Sequence, residues 1–272
     1  PMAGAQGSAM AIAVSNAGAL GSLPCAMLAP DAIRAEIEAI RQAIGSKPYN
    51  VNFFCHHVPV PDAGREAAWR KALAPYYAEF GIDAANIPAG AGRNPFSDAA
   101  ADVLEAFRPP VVSFHFGLPS EDLLARVRGW GAKVLSSATT VEEAQWLAAR
   151  GVDAVIAQGL EAGGHRGHFL SHDLSRQVGT FALLPQVLKA VKVPVIAAGG
   201  IVDAASARAA MALGAAGVQV GTSYLLCPEA TITAPHRAAL SGNEEARRHT
   251  ALTNLFTGRP ARGIMNRVMR EL

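Results

Sequence analysis

Short apolar runs alternate with amphipathic helical stretches along most of the 272 residues, and this alternation restricts the fold more than any other feature. Strands that alternate with helices of this length form right-handed βαβ units around a parallel sheet. The seven β-type runs lie at 19–25, 49–55, 111–116, 133–137, 153–157, 193–198 and 217–221. The eight predicted helices lie at 9–17, 31–45, 64–80, 97–107, 120–130, 141–150, 181–191 and 204–213.

The number of strands predicts an α/β fold with a (β/α)8 TIM-type barrel that lacks one strand. A closed barrel of this type needs eight parallel strands, whereas the chain supplies seven. The stretch Pro1–Gly4 reads as a loop that follows a strand. We therefore expect the first strand to be missing or trimmed, with its place before Pro1. An open, doubly wound sheet is the alternative.

Two segments depart from the regular rhythm. Residues 56–110 are longer than one crossover helix requires, which predicts a small helical accessory lobe at one rim of the barrel. After about residue 226 the alternation stops. We therefore predict a barrel domain over 1–230 and a C-terminal helical extension over 231–272, which we expect to be truncated.

Composition excludes several classes of partner. The net charge is only +2, from 24 basic and 22 acidic residues, and no basic cluster exists that would attract nucleic acid or an anionic membrane. No apolar stretch reaches the ~18 residues of a membrane span. The three cysteines have no metal-ligand spacing and read as reduced thiols, so we expect a cytoplasmic protein.

Glycines follow the last two predicted strands. Gly199 and Gly200 come after the run 193–198, and Gly221 precedes Thr222 at the end of the last run. Free backbone N–H groups at such turns bind anions, and glycine lets a phosphate approach closely. Barrels often hold a phosphate after their seventh and eighth strands. We therefore predict a phosphate site here, with tight turns alone as the alternative.

The loop 158–167, which we call the glycine loop, has four glycines around a single histidine, His165. A loop of this kind can bring its backbone against a flat ligand. A histidine near its free pKa is a natural general base at neutral pH. We predict that role for His165. A histidine that merely hydrogen-bonds a loop carbonyl is the alternative.

Residue alternation assigns side chains to the two faces of the sheet. It places Ser113 and His115 inward, and Val112, Phe114 and Phe116 toward the helices. His115 then either lines a substrate pocket or is a hydrogen-bonded core residue, and the sequence leaves both open.

The same phase places Asn52 and Gln219 inward. His56 and His57 follow a strand end, and we expect them to be a solvated pair. Because the histidines lack metal-ligand spacing and nearby carboxylates, we expect no metal.

Several motifs resemble the nitronate monooxygenases, formerly called 2-nitropropane dioxygenases. The strongest are the glycine loop, the stretch Pro194–Ile201 and the stretch Gly217–Thr222. Further similar stretches are Pro1–Gly4, Ala13–Gly21, Val51–Phe54 and Ser113–Gly117, so that the resemblance covers residues 1 to about 230. FMN-dependent enoyl-ACP reductases and quinone reductases share the Glu161–His165 stretch, and an NAD(P)H-dependent reductase therefore remains the alternative.

The resemblance implies an FMN enzyme that oxidises alkyl nitronates, and neutral nitroalkanes as well, with O₂ to a carbonyl compound and nitrite. It implies that His165 is the catalytic base and that Met2 and Ala3 lie against the isoalloxazine ring. The other cofactor contacts that it implies are Asn52, Gln158, Gly163, Gly164, Gly199, Gly200, Gln219, Val220, Gly221 and Thr222. A homodimer is left open.

Overall fold

Parallel strands form the centre of the structure, a computed structural model that describes residues 1–87, 92–242 and 249–272. The strands are β1 (Gly21–Pro24), β2 (Tyr49–Phe54), β3 (Val111–His115), β4 (Lys133–Ala138), β5 (Ala154–Gln158), β6 (Gly164–His165), β7 (Val195–Ala198), β8 (Gly217–Gln219), β9 (Thr250–Thr253) and β10 (Ala261–Ile264). Seven of them make one parallel sheet in the order β1-β2-β3-β4-β5-β7-β8, curled into a half-barrel.

This strand order confirms the TIM-like α/β fold. A doubly wound sheet reverses its direction of growth at a switch point, whereas these strands follow the chain from one edge of the sheet to the other. The doubly wound alternative is therefore wrong. The seven predicted strands agree with the observed ones within two residues at each end.

Helices cover the outer face of the sheet, and others lie at its periphery. They are α1 (Ser8–Asn16), α2 (Pro30–Ile44), α3 (Ala63–Glu79), α4 (Asp98–Phe107), α5 (Glu121–Gly129), α6 (Val141–Ala149), α7 (Thr180–Ala190), α8 (Ala204–Ala212), α9 (Ala234–Ser241) and α10 (Arg267–Glu271). The eight predicted helices match α1 to α8 within one residue at each end. No helix of the described residues is both long and apolar enough to cross a membrane.

Helix α2 illustrates how the sequence builds the outer core. Ile33, Ile37, Ile40 and Ile44 recur at helical spacing and are all buried against the sheet. Burying a side chain of this size contributes about 1.5–3 kcal/mol. The isoleucines belong to one apolar cluster with alternate strand residues, among them Val51, Val112, Phe114, Val134 and Val155.

The inner face of the sheet carries polar side chains, as the alternation predicts. Asn52 Nδ2 donates to Ser113 Oγ at 2.9 Å, and Asn50 Nδ2 donates to the same oxygen at 2.8 Å. Phe116 breaks the alternation. Its φ of 69° is left-handed, and its ring packs with Phe54 rather than among the helix-facing residues. The prediction that Phe116 faces the helices is therefore wrong.

The predicted accessory lobe near 56–110 contains α3. This helix buries only Tyr76, whose hydroxyl donates to Glu271 Oε2 at 2.6 Å, so α3 lies at the periphery and contacts α10. Arg267 adds a salt bridge of 2.7 Å to Glu79.

The helical prediction for 231–272 needs correction. Strands β9 and β10 form an antiparallel pair, the C-terminal hairpin (residues 250–264), and β10 also pairs with β6 in the glycine loop. The β-structure arises because this segment finds a strand to pair with in a distant loop, a partner that local periodicity does not reveal. The division of the chain at residue 230 stays a prediction.

Candidate active site

The carboxyl ends of three neighbouring strands bring the candidate residues together. Strand β5, which leads into the glycine loop, pairs with β7, and β7 pairs with β8. A Cβ atom built at Gly163 would lie 2.9 Å from Thr222 Oγ1, so the glycine loop contacts the turn after β8. A Cβ atom at Gly221 would lie 3.7 Å from Met2 Sδ, so the N-terminal stretch reaches the same turn.

The predicted phosphate site lies at the two turns after β7 and β8, which we call the anion cradle. Gly199 and Gly200 have φ values of 111° and 68°, which glycine adopts readily. Among the described residues, the backbone N–H groups of Gly200, Gly221 and Thr222 donate to no backbone carbonyl outside the regular elements. Donors of this kind at adjacent strand ends fit a phosphate.

Gly221 is informative because its φ is not left-handed. Its φ is −124° with a ψ of −77°, and the nearest atom to an added Cβ is the flexible Met2 sulfur, 3.7 Å away. The space above Gly221 is therefore left clear by the protein itself.

Gln158, the first residue of the glycine loop, fixes the rest of the loop through its side-chain amide. Its Nε2 donates to His165 O at 2.9 Å, and its Oε1 accepts from Gly167 N at 2.8 Å. Both ends of the amide are thus engaged with the loop. Asn52 is likewise turned toward Ser113, with its Nδ2 donating to that residue. Each amide keeps hydrogen-bonding capacity for a further ligand.

The remaining predicted cofactor residues line the same region. Ala3 packs against the cluster of Ala26, Phe54 and Phe116. Gly164 has a φ of 74° and, in β6, pairs with Arg262 of strand β10 in the C-terminal hairpin. Gln219 and Val220 are partly buried at the end of β8.

Arg166 anchors the glycine loop within the core. Its side chain is fully buried and donates to three oxygens: Gly159 O at 2.8 Å, Gln158 O at 3.0 Å and Gln177 Oε1 at 2.7 Å. Burial lowers the pKa of Arg166 to about 10, so the guanidinium remains a cation at neutral pH. The loop is therefore preorganised by a buried charge.

Arg166→Met is expected to lower the free energy of unfolding by about 3–5 kcal/mol, because three buried acceptors lose their donor. Urea denaturation of the purified variant measures this loss. Arg176→Met is the matched control, since its salt bridge to Glu142 is largely solvated and contributes about 1 kcal/mol or less. Equal stabilities of the two variants would contradict the anchoring role.

His165 follows two residues after Gly163, the residue of the glycine loop that contacts Thr222. Its Nε2 lies 2.8 Å from Thr257 Oγ1, and its ring centroid lies 6.1 Å from that of Phe54 and 5.9 Å from that of Phe116. Burial lowers the pKa of His165 to about 4, and the charges of Arg93 and Arg259 add to this effect. This pKa lies below that of a free histidine. The ring is neutral at pH 7 and able to accept a proton.

Basic groups surround His165. The Arg259 Cζ atom lies 4.8 Å above the Phe116 ring centroid, within range of a cation–π contact. The His56 ring lies 5.9 Å from that of Phe116, and burial together with the Arg259 charge lowers the pKa of His56. Such surroundings favour an anionic ligand.

His56 and His57 differ from the expected solvated pair. His57 is exposed, whereas the His56 ring packs against both Phe54 and Phe116. The prediction of a solvated side chain holds for His57 and is wrong for His56. The turn after β2 directs His56, but not His57, toward the site.

His115 lies beneath the glycine loop. Its Nδ1 is 3.0 Å from Ser137 Oγ, and a Cβ atom at Gly167 would lie 2.6 Å from His115 Cε1. Burial and the nearby His165 lower the pKa of His115 to about 3. These contacts are those of a hydrogen-bonded core histidine, and a role in substrate binding stays a prediction.

Sequence reasoning missed two residues that touch the site. Thr257 and Arg259 come from the C-terminal hairpin, which has no β/α rhythm to mark its position. Pairing of β10 with β6 brings them to His165. No signal in the sequence assigns them to this site.

Comparison with known proteins decides the family. The family model "Nitronate monooxygenase" matches residues 1–272. The chain belongs to the nitronate monooxygenase family. A nitronate monooxygenase of Pseudomonas aeruginosa is 44% identical over 273 residues, covering 98% of this chain and 76% of the relative. One of Paraburkholderia phytofirmans is also 44% identical, covering 98% of this chain and 72% of that protein.

Solved structures agree with this family. A nitroalkane oxidase from Streptomyces ansochromogenes superposes with a TM-score of 0.89 and is 41% identical, covering 100% of this chain and 77% of that one. FabK from Thermotoga maritima superposes with a TM-score of 0.72 and is 30% identical, covering 97% of this chain and 68% of FabK. The resemblance to nitronate monooxygenases and the prediction of an oxidoreductase are thus confirmed, and membership of the nitronate monooxygenase family supports the oxidation of nitronates.

Proposed function

We propose that the protein uses FMN to oxidise alkyl nitronates with O₂, giving a carbonyl compound and nitrite, and that His165 is the base for neutral nitroalkanes. The observation that carries the proposal is that the glycine loop, which carries a neutral, partly buried His165, contacts the anion cradle of Gly200, Gly221 and Thr222 through Gly163. The cradle suits a phosphate-bearing cofactor, and the histidine suits proton transfer from carbon.

The residues present fit FMN. The N–H groups of the cradle would hold its phosphate, and the open space above Gly221 leaves room for it. Met2 and Ala3 would contact the flat ring, with Asn52 and Gln158 as polar neighbours. When bound, the flavin supplies the electron transfer and the reaction with O₂.

The protein's own groups would bind and deprotonate the substrate. His165 would take the α-proton of a neutral nitroalkane, because its ring is neutral and carries a free lone pair at pH 7. A preformed nitronate has already lost that proton. Its negative charge would then be balanced by Arg259 and Arg93, the two cations that act on His165.

A second candidate is an NAD(P)H-dependent flavin reductase of the enoyl-ACP or quinone type, which the Glu161–His165 stretch leaves open. Anaerobic mixing of the flavin-loaded protein with propyl nitronate or with NADPH separates the two. We expect propyl nitronate to bleach the flavin faster. Faster bleaching by NADPH would favour the reductase, and no bleaching by either would indicate a flavin-binding protein without turnover.

The pH dependence follows from the lowered pKa of His165. A base must be unprotonated, and the fraction of unprotonated His165 rises as the pH increases through about 4. We expect kcat/KM for a neutral nitroalkane to show its acidic limb near pH 4 and to vary little with this group above about pH 5.5. A limb near pH 6.5 would contradict this prediction. Substrate ionisation is measured separately as the control.

Location and assembly stay predictions. We propose a cytoplasmic protein that acts on a small nitronate or nitroalkane and O₂, without nucleic acid, membrane or metal. A homodimer is left open, and sedimentation of the purified protein measures it.

A further inference from the structure

Thr257 makes two hydrogen-bonding contacts through one hydroxyl group. Its Oγ1 lies 2.8 Å from His165 Nε2 and 3.2 Å from Arg259 O. A carbonyl oxygen only accepts, and a threonine hydroxyl has a single hydrogen to donate. Both contacts are hydrogen bonds only if that hydrogen goes to Arg259 O and Nε2 of His165 carries a hydrogen and donates it, whereas a hydroxyl that donates to Nε2 leaves the Arg259 contact unmade.

The surrounding backbone holds both partners in place. His165 pairs with Ala261 across β6 and β10, and Arg166 N donates to Pro260 O at 2.9 Å. On the other side, Gln158 Nε2 holds the carbonyl of His165. Thr257 and the imidazole ring are therefore brought together by backbone pairing on either side of the contact.

The second ring nitrogen is open. Among the described residues, Nδ1 of His165 has no hydrogen-bond partner. It is absent from the fully buried side-chain atoms without a partner, so it is not fully buried. Nδ1 therefore faces accessible space on a ring that lies next to Phe54 and Phe116. A neutral imidazole with hydrogen on Nε2 has its lone pair at this nitrogen.

We propose that Thr257 is a positioning residue that holds His165 in the Nε2–H tautomer and so makes Nδ1 the proton-accepting atom. That the accepted proton is the α-proton of a nitroalkane rests on the proposed function. The α-carbon–hydrogen bond of a nitroalkane breaks, its electron pair stays on the substrate as the nitronate, and the proton forms a bond to Nδ1. The imidazolium keeps its Nε2–H donated to Thr257.

This contact matters because the charges near His165 oppose its protonation. Arg93, Arg259 and His56 all lower the pKa of His165, and His115 lies close enough for the two histidines to affect each other. The chain from Nε2–H through Thr257 to the Arg259 carbonyl presents only oxygen acceptors to the ring. It therefore stabilises the imidazolium through dipoles, as the orienting group of a catalytic base does.

Nitrogen NMR tests the tautomer without turnover. In protein labelled with ¹⁵N-histidine at pH 7, we expect His165 Nε2 to give the shift of a protonated ring nitrogen and Nδ1 that of an unprotonated one. His165→Gln assigns the signals by their loss. The opposite pattern in the wild type would overturn the proposal by itself.

Two variants of Thr257 test its role. Thr257→Val keeps the shape and removes the hydroxyl, so both nitrogen shifts should move toward intermediate values, whereas Thr257→Ser should preserve the wild-type shifts. We expect Thr257→Val to lower kcat/KM about fivefold for a neutral nitroalkane and less than about twofold for a preformed nitronate. Unchanged nitrogen shifts in Thr257→Val would overturn the positioning role.

Failure of the proposed function gives a different result. Full activity of His165→Gln on neutral nitroalkanes would remove the base role, whatever the nitrogen shifts report. The nitrogen NMR spectra alone test the tautomer assignment.

Discussion

His165→Gln is expected to lower kcat/KM for a neutral nitroalkane by roughly 10²- to 10⁴-fold, the range that a positioned general base contributes. The glutamine amide can still reach Thr257 in place of Nε2, but it has no basic nitrogen where Nδ1 stands. Steady-state oxygen consumption with the neutral nitroalkane measures the loss. The variant should retain its flavin, because the predicted phosphate contacts come from the turns after β7 and β8.

The same variant should lose much less activity on a preformed nitronate, which needs no proton removed. His57→Gln is the matched control: the same substitution at an exposed histidine near the site, expected to change both activities by less than about twofold. Equal losses of His165→Gln on the two substrates would remove the general-base role and leave only an electrostatic one.

Gly221→Val is expected to weaken flavin binding by roughly 10- to 100-fold, because a branched side chain would occupy the space in which the phosphate is proposed to lie. We expect the fold to survive, since the φ of −124° is not left-handed and only the flexible Met2 side chain lies near the added Cβ. The flavin content after purification and the dissociation constant of FMN, measured by fluorescence quenching, report the effect.

Gly217→Val is the control for that substitution. Gly217 begins the same strand, and nothing lies within 4 Å of a Cβ atom added there. We expect this variant to bind FMN as the wild type does. A fully flavinated Gly221→Val protein would place the phosphate elsewhere and contradict the cradle.

Local pattern predicted the regular elements well. The isoleucines of α2 recur at helical spacing, and the apolar runs from Val111 and Val195 are short and rich in β-branched residues, so each element is indicated by its own residues. The same holds for the cradle, because parallel strands place their carboxyl ends at one edge and the glycines follow those ends directly.

Departures from regular geometry escaped prediction. Phe116 does not face the helices because its left-handed φ ends the alternation of β3. A left-handed φ is not expected for a phenylalanine, so the residue type did not predict it. The C-terminal hairpin escaped for another reason. Its strands depend on pairing with β6, about 90 residues earlier in the chain, as the register of Ala261 with His165 indicates.

The protonation state of His165 was also beyond sequence reasoning. A lone histidine suggests a pKa near its free value, yet burial among Phe54 and Phe116 and the approach of Arg259 lower it to about 4. Desolvation and the nearest charges depend on which distant segments pack around the ring, and spacing along the chain does not carry that information.

The sequence by itself determined the alternation of helices with parallel strands, the glycine turns at the carboxyl edge of the sheet and the family resemblance, because these follow from short-range periodicity and motifs. Only the tertiary structure decided what surrounds His165: Thr257 and Arg259 from the hairpin, Phe54 from β2, Phe116 from the turn after β3, and the lowered pKa. The physical reason is that a proton's affinity depends on burial, charge and hydrogen-bond partners within a few ångströms, whereas the residues that supply them lie far apart along the chain.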